Sequence, residues 1–219
     1  EADRMVQVCA TAGVPLVGGA TTVSHPSFAK ARELVQNGAI GDVRSIEARV
    51  PVMSQHQDWC YFLNSRPAWV SGIGDTTRRD RGSTEFMGQG MIVTEDGTVV
   101  HIRDGAPPVR LSGSRGEISF NQNTWRLWQD VEDSLGRTVR VETPWPCPQF
   151  ALPYRAVYCL DDLIASMEGR LDEPKNSGRH VAVALEVELA LKISSQQGGK
   201  RIALPLVDRS LGLRYDWFR

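Results

Sequence analysis

Long apolar runs, closely spaced cysteines and an excess of either charge are all missing from this chain, and each absence removes a class of function. The most apolar stretch, HVAVALEVELALKI (180–193), is interrupted by Glu186 and Glu188 and is too short to cross a bilayer, so it reads as a helix with one buried face. The 25 basic and 26 acidic residues are interspersed to a net charge of −1, with no basic block to seat nucleic acid or an anionic membrane. Cys9, Cys60, Cys147 and Cys159 lie far apart, with no CxxC pair and no histidine at ligand spacing. That spacing argues against a zinc site or a disulfide framework and favours reduced core thiols, the sole indication of a cytoplasmic location. No GxGxxG follows a strand, because Gly88-Gln-Gly90 lacks the third glycine; a phosphate loop is therefore not expected. No Ser-His-Asp or Cys-His arrangement has supporting context, which sets hydrolase chemistry aside.

What is present is a chain of 219 residues, 41% hydrophobic, long enough to bury a real core. It opens without an initiator Met and already inside an apolar stripe (Ala2, Met5, Val6, Cys9), with Gly13 as the expected stop. VPLVGGA (14–20) then reads as a short buried strand. SHPSFAKARELVQNG predicts a helix with Ser24 as its N-cap, Pro26 in its first turn and Phe28, Ala31, Leu34 and Val35 buried. Val43 to Val52 alternates at period two, and a helix is expected over His56–Asn64. Six short alternating runs follow between residues 68 and 143, with Asp96-Gly97 and Arg115-Gly116 as the strongest hairpin signals. NTWRLWQD is read as packing or as a surface on which a sugar ring stacks. Two long helices, about Tyr154–Glu168 and His180–Gln197, and the strand RIALPL complete the chain. Helices and hairpin strands segregate, which predicts an α+β fold: an open, predominantly antiparallel sheet with helices on one face. Trp69, Val70, Ile92, Val99, Ile102, Leu111, Ile118, Phe120, Val139 and Val141 are more apolar residues than one face needs. A second copy pairing on the uncovered face would use the surplus.

Three stretches then carry a resemblance. EADRMVQVCATAGVPLVGG with HPSFAKARELVQNGAIGDVRSIEA resembles the middle of the Gfo/Idh/MocA oxidoreductases, the glucose-fructose oxidoreductase and inositol dehydrogenase family. PPVRLSGSRGEISF resembles that family's strand–turn–strand, and EPKNSGRHVAVALEVELALKISSQQGGKRIALPL is similar to its closing helix and strand. The resemblance implies that residues 1–22 are the remnant of a dinucleotide-binding (Rossmann) domain, its last helix and strand. Residues 23–219 are then a substrate-binding and oligomerisation domain. It implies an NAD- or NADP-dependent oxidoreductase acting on a CH–OH group of a sugar, cyclitol or related polyol. The main cofactor domain would lie outside these residues, so that they alone would not turn over.

QHQDWCYFLN resembles the family helix that carries a catalytic His, here with His56 and Asp58 two apart. His56 is accordingly the candidate acid/base or substrate ligand, against a capping role. Asp58 is a candidate substrate contact or an ordinary first-turn residue. Lys175, Asn176 and His180, on the loop and first turn before the last long helix, are candidates to meet a hydroxylated ligand, against a solvated loop. His25 and Thr22 fall where the family's chain crosses between domains near the nicotinamide, His25 being equally readable as structural. TTRRDRG (76–82) reads as an anion contact or a charged turn, His101 as sheet surface. From another class, a relative that binds a ligand or partner without catalysis fits the same residues.

Overall fold

The alternating segments form nine strands, β1 (Val43–Ala48), β2 (Pro67–Ile73), β3 (Gln89–Thr94), β4 (Val99–Ile102), β5 (Val109–Gly113), β6 (Gly116–Asn121), β7 (Thr124–Glu132), β8 (Thr138–Thr143) and β9 (Ile202–Ala203). In the computed structural model, which describes residues 1–19, 22–53, 55–75, 85–121, 124–149 and 155–212, they make one sheet in the order β8-β7-β6-β5-β1-β4-β3-β2-β9. Every pairing is antiparallel except β1 with β4. The period-two pattern sets one row of cross-strand neighbours on the covered face: Val70, Ile92, Val100, Ile46, Leu111, Ile118 and Leu127. All seven are at most 3% exposed.

Four helices, α1 (Ala2–Thr11), α2 (Pro26–Gln36), α3 (Arg155–Met167) and α4 (Gly178–Gln196), complete the α+β fold. Ala184, Val187 and Leu191 recur on one face of α4, which packs across β2. Gly72 permits that approach, since a Cβ there would lie 2.9 Å from the Leu191 carbonyl oxygen. At the other end α2 inserts Phe28 into an aromatic cluster, with ring centroids 5.1 Å from Trp125 and 5.3 Å from Phe120. α3 lies outside this layer, against the turn Thr22–Ser24. α1 contributes no buried residue. It rests on α4, where Arg209 pairs with both Asp3 and Glu186.

Several expectations give way. The described part of the 14–20 segment, residues 14–19, forms a single bridge, Val17 to Ser177, instead of a strand, because its backbone pairs with the loop before α4: Gly18 N–H donates to Asn176 at 2.9 Å and Gly178 N–H to Leu16 at 2.7 Å. The His56–Asn64 helix resolves into two short 3₁₀ turns, His56–Asp58 and Cys60–Phe62. Trp59 between them is fully buried at φ −136°, and its indole donates to the Val52 carbonyl, so packing of that ring breaks the helix. The N-cap of α2 is His25, whose Nδ1 accepts from the Ser27 N–H, and not Ser24. Of NTWRLWQD, the described residues from Thr124 lie in β7, and its Trp125 faces the core, the packing alternative. Of the ten apolar strand residues counted above, six (Val70, Ile92, Ile102, Leu111, Ile118, Phe120) are buried on the covered face. Trp69 and Val99 do lie on the open side. The segment 76–82 lies outside the described residues. Among those described, no helix is long and apolar enough to cross a membrane.

Candidate functional site

The turn into α4 organises the site. Ser177 Oγ accepts the His180 N–H at 3.3 Å and caps the helix, which turns the preceding Asn176 inward to 1% exposure. Asn176 uses every polar atom of its side chain there. Its Nδ2 donates to the Gly19 carbonyl at 2.7 Å, and its Oδ1 lies 2.6 Å from Nε2 of His56. His56 is 6% exposed, and its other ring nitrogen, Nδ1, lies 2.9 Å from the Met53 carbonyl. Lys175 pairs with Asp162 of α3, and its own carbonyl lies 3.1 Å from His180 Nδ1. Three remote segments of the sequence therefore meet around one asparagine.

The remaining candidates stand at the margins of this cluster. His25 is 2% exposed; its Nδ1 accepts from Ser27 N–H at 3.1 Å, and its ring meets Tyr158 edge-on at 5.0 Å. The Cys159 thiol, next along α3, donates toward the Gly19 carbonyl (3.5 Å) and Ser24 Oγ (3.4 Å). Asp58 turns away from Asn176 and pairs with Arg49 at 3.1 Å, while Arg49 also donates to Gln55. The side chain of Thr22 lies outside the described residues. Burial depresses the titration of both His25 and His180, His180 against the opposing pull of the Lys175 carbonyl. Burial pushes the Cys60 thiol up to about 12, so it is a core thiol and no nucleophile.

One functional group is invisible to motif reading. Glu188 of α4 is fully buried, with Oε2 accepting the Met53 N–H at 2.7 Å and Oε1 accepting the Phe86 N–H. Burial, opposed by those two bonds, pushes its carboxyl up to about 8. It anchors the strand exit whose Met53 carbonyl faces His56. The signal was present in the sequence: Glu188 falls on the same face as Ala184, Val187 and Leu191, where a solvated glutamate has no place. Beside the cluster, a groove of about 750 Å³ runs between α1 and the end of α3, lined in part by Cys9, Val14, Leu16, Met167, Asp172 and Ser177.

Comparison with known proteins bears on what this arrangement belongs to. No protein-family model matches the sequence, and no curated protein matches it by sequence. Solved structures do match by fold. Aldose-aldose oxidoreductase from Caulobacter crescentus, complexed with glycerol, superposes with a TM-score of 0.66 at 19% identity, covering 93% of this chain and 68% of its own. The WlbA dehydrogenase of Bordetella pertussis, in complex with NADH and UDP-GlcNAcA, gives 0.60 at 17%, covering 94% and 68%. An oxidoreductase from Agrobacterium radiobacter with NAD+, L-tartaric acid and magnesium gives 0.61 at 15%, covering 92% and 68%. The fold is that of the Gfo/Idh/MocA oxidoreductases.

The Gfo/Idh/MocA fold accounts for nearly all of this chain, while the chain spans a little over two thirds of those relatives. Within this fold the described part of the crossing segment, Gly18–Gly19 and Val23–His25, does not fit a nucleotide seat. Val23, Ser24 and His25 are at most 4% exposed, His25 is spent on capping α2, and the Gly19 carbonyl is taken by Asn176. Among the described residues no group of three or more His, Cys, Asp or Glu is placed to hold a metal ion.

Proposed function

We propose that this chain is the substrate-binding and oligomerisation portion of a cytoplasmic NAD(P)-dependent oxidoreductase that acts on a CH–OH group of a sugar, cyclitol or related polyol. The observation that carries the reading is the junction of His56, Asn176, Lys175 and His180, drawn together from two remote parts of the sequence, with His56 and Asn176 buried and Lys175 and His180 half-buried. It occurs within a fold whose solved examples include sugar and polyol oxidoreductases. Interconverting an alcohol and a carbonyl requires a group that exchanges the hydroxyl proton, and an imidazole positioned by fixed hydrogen bonds does this near neutral pH. In this reading His56 is that group, working through Nε2, with a substrate oxygen taking the place of Asn176 Oδ1. Lys175 and His180 contact the remaining hydroxyls, Asp58 orients Arg49 at the margin, and the groove beside Ser177 admits the ligand. Thr22 and His25 shape the crossing between the two halves, and the nucleotide is held by residues other than these.

The test is turnover of polyols and aldoses with NAD+ or NADP+, followed by nicotinamide absorbance. Activity in the intact protein, lowered at least about a hundredfold in kcat by His56→Ala, supports the assignment. An unchanged rate removes His56 from the chemistry. A second reading, a non-catalytic relative that binds a ligand or partner, is favoured by one observation: both ring nitrogens of His56 are engaged within the protein. Ligand binding without turnover in the intact protein would decide for it.

A further inference from the structure

We infer that Glu188 is a positioning residue for His56, acting through the main chain of Met53, an assignment that rests on the reading of His56 as the acid/base group. Met53 lies between β1 and the turn His56–Asp58, in neither helix nor strand, so no ladder of backbone bonds sets its direction. Glu188 sets it instead. The carboxyl group sits on the buried face of α4 beside Ala184, Val187 and Leu191, a place that tolerates it only when its oxygens are bonded. Oε2 accepts the Met53 N–H at 2.7 Å and Oε1 accepts the Phe86 N–H, so one side chain joins α4 to two segments 135 and 102 positions away.

From Met53 the constraint passes to the ring. The Met53 carbonyl accepts the His56 main-chain N–H at 3.3 Å and lies 2.9 Å from Nδ1, so the residue that Glu188 holds both closes the turn and borders the imidazole. At the other edge Asn176 Oδ1 lies 2.6 Å from Nε2, and Asn176 directly precedes the Ser177 cap of the same helix. Both edges of the ring are therefore referred to α4, one at its first turn and one at its middle. The helix holds the imidazole in place without choosing which nitrogen carries the hydrogen. Rate is sensitive to such a hold, since displacing a catalytic group by about 1 Å costs about a hundredfold.

The experiment is NMR of the histidine ring C–H groups in the 219-residue chain, with His56→Gln to assign the His56 signals among those of His25, His101 and His180. In the wild type the His56 ring is expected to be as rigid as the main chain around it. Glu188→Asp keeps the carboxyl group but draws it back by one carbon, and Glu188→Met keeps the length but removes both acceptors. Each should displace or broaden the His56 signals while those of His25 and His101 stay in place, and in the intact protein each should lower kcat about a hundredfold with KM little changed. A mobile His56 ring in the wild type, His56 signals unmoved in either folded variant, or an unchanged kcat overturns the assignment and leaves Glu188 a structural residue only. Should Glu188→Met not fold, the wild type and Glu188→Asp still decide. The ring signals need no turnover: failure of every polyol in the activity assay would sink the acid/base reading alone, and unmoved ring signals would sink this one alone.

Discussion

Glu188 shows what a single buried charge does to a fold. Two backbone N–H groups, of Met53 and Phe86, point at its carboxylate, yet desolvation outweighs them and the carboxyl is pushed up from 4.5 to about 8. A folded-state value above the unfolded one means that the native state binds the proton more tightly. The resulting stability is fully present below about 4.5 and is lost as pH rises through about 8. Glu188→Gln removes that titration. The stability of the wild type relative to the variant should fall between pH 5 and pH 9 in thermal melts; a difference constant across that range would refute the linkage. Asn176 teaches a related lesson about reading single residues. Its polarity and its place before a helix marked it as a site residue, but its partner His56 lies 120 positions away, and no local spacing encodes that contact. Asp58 shows the opposite case, a residue chosen for its nearness to His56 that the fold turns toward Arg49.

At the scale of elements, the parts legible in the sequence are those fixed by periodicity and end signals. α2, α3 and α4 fall close to their expected bounds, as do the hairpin strands around Asp96-Gly97 and Arg115-Gly116. The parts that were not legible are those decided by a tertiary neighbour. Residues 14–18 have strand character, but their backbone partners are Asn176 and Gly178, so they bridge to a loop and not to the sheet. Residues 56–62 have helix character, but burial of Trp59 costs the helix its continuity. β7 was hidden because its two tryptophans drew the reading toward packing or sugar stacking, with no strand assigned there. The cap of α4 is legible and carries weight beyond its own turn. Ser177 Oγ holds the His180 N–H, and the same turn sets the direction of Asn176. Ser177→Ala should cost about 1 kcal/mol in urea unfolding and raise amide exchange selectively at residues 178–181. A loss spread evenly through the sheet would contradict a local capping role.

For the whole molecule, the asymmetry of the sheet is the governing fact. One face is closed by α2, α4 and the aromatic cluster; the other carries two rows of side chains with no helix over them among the described residues. The first row runs Trp69, Val93, Val99, Ser45, Ser112, Glu117, Trp128, and the second Ser71, Met91, His101, Glu47, Arg110, Ser119, Arg126. Apolar groups concentrate toward β2, β3 and β4, whereas Glu47, Arg103, Arg110 and Glu117 form an ion-pair network around β1, β5 and β6. A two-fold pairing of this face lays each copy's apolar third on the other's, with the ion pairs at the margin, the division between core and rim that stable interfaces show. A standard interface of that kind removes about 800 Å² from each partner. Met91 faces Ser71 and His101 in a depression that Arg103 also lines, whereas Val93, half-buried between Trp69 and Val99, sits at the centre of the apolar third. Sedimentation of the wild type should therefore give twice the chain mass, and Val93→Glu the single chain. A wild type that sediments as one chain at high concentration would refute the pairing of this face.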